Sequence, residues 1–144
     1  MCAQTQKPTA LGYAEIAKLL VGVTTAMAAG ASGMKSIVGL TGACTAAEAS
    51  TFANPGGATK LAANGFTLVN ADTVVNSTTT VTNDTVELDH VFTCATAAQS
   101  VSGFAILNDD DDVVLMECCF ATAVAAEISD TITCEGKMIF KLGA

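Results

Sequence analysis

The chain has no arginine and no tryptophan, one histidine, one tyrosine and two prolines in 144 residues. Each shortage excludes something. All six cations are lysines (Lys7, Lys18, Lys35, Lys60, Lys137, Lys141) against fourteen acids, and the formal net charge is −8. A protein that neutralises nucleic-acid phosphates needs clustered Lys and Arg, so direct nucleic-acid binding is not expected. With His90 the lone histidine, a serine or cysteine hydrolase would have to use it as the base. No G-x-S-x-G stretch, zinc-type Cys/His spacing or glycine-rich phosphate loop accompanies it. His90 is therefore expected to be a packed or rim residue, and the chain is expected not to be an enzyme. The six cysteines form no C-x-x-C pair, which disfavours a zinc ribbon or a thioredoxin-type site. No metal or other cofactor is implied.

Long apolar runs are also missing. The nearest approach is "LLVGVTTAMAAGASGM" (19–34), where threonine, glycine and serine dilute the hydrophobicity. It falls short of the roughly 20 apolar residues of a spanning helix, and no strongly basic region precedes it. Neither a membrane partner nor a cleaved signal is expected.

What is present is a small-residue, β-rich pattern of one domain's length, 1–144. Residues 9–21, "TALGYAEIAKLLV", space Leu11, Ala14, Ile16, Leu19 and Leu20 along one helical face. That spacing predicts a short N-terminal helix with Thr9 as its cap, inside an arm over 1–34. "KSIVGL" (35–40) reads as a strand. Residues 41–64, with "NPGG" as a breaker, read as a long surface loop, with a helical turn over 45–51 capped by Thr45 and Glu48. Such a loop is expected to reach a neighbour.

Beyond Gly65 come repeated short strands: "FTLVN", "TTTVTN", "TVELDHVFTC", "SVSGFAILN", "VVLMECCF" and "DTITCEGKMIFKL". Val86, Leu88, His90, Phe92 and Cys94 alternate with Glu87, Asp89 and Thr93. Ile132, Cys134, Gly136 and Met138 alternate in the same way with Thr131, Thr133, Glu135 and Lys137. Half-buried antiparallel sheets have this pattern, so the expected fold is mainly β, an antiparallel β-sandwich or jelly-roll-like domain with the helix at one edge. The run Asp109–Asp112 lacks EF-hand spacing and reads as a solvated hairpin with Asn108 as a turn former. "NST" (76–78) and "NDT" (83–85) match a glycosylation pattern that threonine-rich strands produce by chance.

The cysteines divide by position. Cys94 and Cys134 share faces with apolar residues and are expected to be buried thiols or an internal pair. Cys2 and Cys44 sit in a terminus and a long loop. Cys118 and Cys119 are adjacent on a strand, and side chains alternate faces along a strand, so one points away from the core. Cys2, Cys44 and one of Cys118 or Cys119 are thus candidates for interchain disulfides.

"GYAEIAKLLVG" (12–22), "KSIVGLTGACTAAEAS" (35–50), "TTTVTNDTVELDHVFT" (78–93), "VSGFAILN" (101–108) and "SDTITCEGKMIFKL" (129–142) together resemble small structural proteins of tailed bacteriophages. The likeness spans nearly the whole chain and rests on structural motifs. It implies a virion protein that decorates or links capsid subunits, partnered by the major capsid protein or other virion proteins, in a homo-oligomer. Neck, collar, tail or fibre parts occur in the same group. The cysteines depart from that pattern, and this departure would suit particles reinforced by disulfides formed after lysis. A carbohydrate-binding module is the alternative from another class, for which Tyr13 and scattered phenylalanines are thin material.

Overall fold

The computed structural model describes residues 4–8, 34–78, 85–108 and 113–139. Within them the chain is mainly β. Nine strands run in the order β1 (Gln4–Pro8), β2 (Met34–Thr41), β3 (Thr59–Lys60), β4 (Val69–Asn70), β5 (Thr73–Ser77), β6 (Thr85–Thr93), β7 (Gln99–Asn108), β8 (Val114–Ala126) and β9 (Thr131–Ile139). They form two sheets, one ordered β1-β8-β7-β2-β3 with β4 also on β2, the other ordered β5-β6-β9. Every pairing is antiparallel. The helix expected over 9–21 and the Asp109–Asp112 run lie outside the described residues.

The alternating segments behave as their pattern predicts. β6 and β9 pair from Thr85↔Ile139 to Thr93↔Thr131, with Leu88, Phe92, Cys134 and Gly136 buried and Glu135 and Lys137 exposed. Leu88, Phe92 and Cys134 join Ile37, Phe104, Ile106, Met116 and Cys118 of the larger sheet in one core. Phe66 stacks on Phe92 within it, ring centroids 5.6 Å apart.

β7 and β8 do not alternate. Val101–Asn108 and Val114–Cys119 are buried without interruption. The reason is a second apolar layer on the far side of the larger sheet, where Val38, Leu40, Ala105, Leu107 and Val114 meet Ala58, Cys44 and Phe52. Residues 42–58 fold back over their own sheet and cover it. Of the helical turn expected over 45–51 there is a single turn, closed by the Ser50 N–H on the Ala47 carbonyl at 3.2 Å, while the Thr45 and Ala47 N–H groups bond outward to the Gly56 carbonyl and to Glu117.

At the strand ends, Asn108 closes the β7–β8 hairpin: its N–H donates to the Val113 carbonyl and its Oδ1 accepts the Val113 N–H. Gly65, at φ +86°, lies so close to β6 that a Cβ would sit 1.9 Å from the Thr93 carbonyl oxygen. That oxygen is backbone and cannot swing away. Gly65→Ala should cost at least about 2 kcal/mol, combining left-handed strain with displacement of β6. Chemical denaturation reads this directly, and an unchanged midpoint would contradict the packing.

Candidate functional site

Two places gather the chain's chemically distinctive residues. The first lies between β8 and the 42–58 cover. Glu117 interrupts the apolar run of β8 and is fully buried. Its Oε1 accepts the Ala47 N–H and, at 2.7 Å, the Ser50 hydroxyl. Ser50 Oγ in turn accepts the Gly56 N–H at 3.0 Å, and the Gly56 carbonyl accepts the Thr45 N–H at 2.9 Å. Among the described residues, Oε2 of Glu117 has no hydrogen-bond partner. A chain of donors thus binds the cover to one acidic side chain of the sheet.

Two positions along the same strand face, Cys119 forms a disulfide with Cys44, with Cα atoms 5.4 Å apart across 75 residues of sequence. Gly56 sits over it at φ +60°, where a Cβ would meet each sulfur at 3.1 Å. The "NPGG" breaker is therefore the lid of the bond: only a residue without a side chain fits the turn and the space together.

This arrangement corrects the reading of Cys44 and Cys119 as interchain candidates. Cys119 does point to the face opposite Cys118, but that face is also interior, so its sulfur meets Cys44 of the same chain. Cys118 is itself buried and belongs to the main core, which removes it as a candidate for reaching a neighbour. Cys94 and Cys134 are buried thiols. Cys94 Sγ lies 3.2 Å from the Ala97 carbonyl, and burial, with Cys118 nearby, pushes the Cys134 thiol up to about 12. Cys2 lies outside the described residues. Iodoacetamide should leave Cys94, Cys118 and Cys134 unmodified in the native protein and label all three after unfolding, since the thiolate is the reactive form. Peptide mapping checks this, and native-state modification of Cys134 would count against its placement.

The second place is the outer face of β5-β6-β9. A shallow groove of about 300 Å³ is bounded there by Thr73, Glu87, Asp89, Glu135 and Lys137. Glu87 accepts from Lys137 and, at 2.6 Å, from Ser77, and these bonds hold it below the usual carboxylate range. Asp89 faces Glu135 across the ladder. Among these carboxylates Val75, Val91 and Ile139 stand 44%, 46% and 36% exposed on the same face.

His90 lies on the core side, edge-on to Phe92 at 4.5 Å between centroids. Its Nδ1 is 3.0 Å from Asp72 Oδ2 in a contact not aligned as a hydrogen bond. Asp72 instead accepts the Val91 N–H, which together with His90 holds its carboxyl below the ordinary value. No nucleophilic side chain stands beside this pair in the hydrogen bonds of the described residues. Nor do three or more His, Cys, Asp or Glu among the described residues converge as a metal site would require.

Glu117 is the residue that sequence reasoning passed over. Its signal was present, a lone acid inside the apolar run "VVLMECCF". No protein-family model, curated protein or solved structure matches the chain.

Proposed function

We propose that this protein is a non-enzymatic structural component of a tailed-phage particle that decorates or links capsid subunits, built as a β-sandwich in which the two antiparallel sheets pack face to face. The observation that carries the reading is the outer face of β5-β6-β9. Its Val75, Val91 and Ile139, set among threonines and carboxylates, suit a flat contact with another protein rather than a pocket for a small molecule. The acidic balance of the chain favours an outer shell over a lumen filled with DNA. The cysteines serve this role from within. Cys44–Cys119 closes within one copy, so the strength of the particle would come from rigid parts rather than from this bond joining them.

Substituting Val91→Lys tests the proposal. The position is exposed, so stability should change by no more than about 0.5 kcal/mol. Incorporation into particles, read by purifying them and probing for the protein, should fall by tenfold or more. Normal incorporation of a folded Val91→Lys protein would refute this face as the contact. Cryo-microscopy of labelled particles then separates a shell position from a neck, collar or tail position.

A further inference from the structure

We infer that the outer edge of β8 is an acceptor for the N-terminal strand of a second copy of this chain, so that β1 is an exchangeable element joining one protomer to the next. Among the described residues β1 is the outermost strand of its sheet and pairs with β8 alone, from Gln4↔Phe120 to Pro8↔Met116. The next strand in the chain, β2, lies three places away across the sheet, roughly 14 Å at ordinary strand spacing. The connection over 9–33 has a contour of up to about 3.3 Å per residue, several times that span. Connectivity therefore does not dictate whose β8 the strand occupies.

The edge itself requires an occupant. Met116, Glu117, Cys118 and Cys119 are buried, and a bare backbone edge along so apolar a stretch pairs with whatever strand is offered. An identical strand from a second copy offers β8 the same backbone ladder, so exchange loses no strand pairing that the closed protomer has.

The inference rests on the assembly reading above, and its test is independent of particle incorporation. Gln6 is the Cα partner of Cys118. Paired Cα atoms in an antiparallel ladder lie about 4.5–5.5 Å apart, within disulfide reach. In the full-length chain carrying Cys2→Ser and Gln6→Cys, oxidised glutathione should accept two electrons from the thiols at positions 6 and 118 and join them. With exchange, the product shifts from monomer toward covalent dimers and higher species on non-reducing electrophoresis, increasingly so at higher protein concentration. Mass spectrometry of those species should find the 6–118 linkage. A product that stays monomeric at every concentration with 6 bonded to 118 overturns exchange and leaves the assembly reading standing. A product in which 6 and 118 do not join overturns the register on which exchange depends.

Discussion

Replacing Cys44 by serine should lower the unfolding free energy by about 4 kcal/mol, the chain-entropy value for a bond that closes a loop of 75 residues. For a domain of this size that corresponds to a fall of roughly 10 °C in the melting midpoint. Cys44 is the better partner to change, because it is half-exposed whereas Cys119 is buried and its loss would add a packing defect. Reductant applied to the wild-type chain should reproduce most of the shift, with a gain of two hydrogens in intact mass. The protein should migrate as a monomer with and without reductant as far as this bond is concerned. A melting curve indifferent to both treatments would mean that the cover is held without it.

Glu117→Ala should be of similar size, at least about 3 kcal/mol. Truncation leaves the Ala47 N–H and the Ser50 hydroxyl without an acceptor in a dry interior, and it opens a void under the cover. Glu117→Gln keeps one acceptor oxygen for those donors and should lose distinctly less. The ordering Ala worse than Gln separates the hydrogen-bonding role from simple volume, and urea titration measures it. If the two substitutions are equally mild, Glu117 is not what fastens residues 44–58 to β8. The two changes should also fail to add in combination, because both release the same segment.

The legible parts of the fold were those whose environment is one-sided. In β6 and β9, Leu88, Phe92 and Cys134 alternate with Glu87, Glu135 and Lys137 because one face is buried and the other is wet, and a period of two records that. β7 and β8 were recognised as strands, but their faces were misjudged. A run such as "VVLMECC" carries no information about what covers the second face, and here residues 42–58 do. The consequence fell on the cysteines, since reading one of Cys118 and Cys119 as outward-facing followed from assuming one core. Its pairing with Cys44 depends on a fold-back that no local pattern encodes across 75 positions. β1 was missed for the opposite reason: "QTQKP" is polar, and only its ladder to β8 makes it a strand. Position 117 could have been found, as an acid in an apolar run needs donors, and the adjacent loop rich in backbone N–H groups was the available source.

The Cys44–Cys119 bond turns about half of the chain into a covalent ring. Everything from Thr45 to Cys118, including β2's partner strands, β7 and the beginning of β8, lies inside that closure. A protease that severs one peptide bond anywhere within it produces two pieces that remain fastened to each other and to the sheet. Damage of that kind would show in intact mass only as the addition of one water, and the two pieces would separate only on reduction.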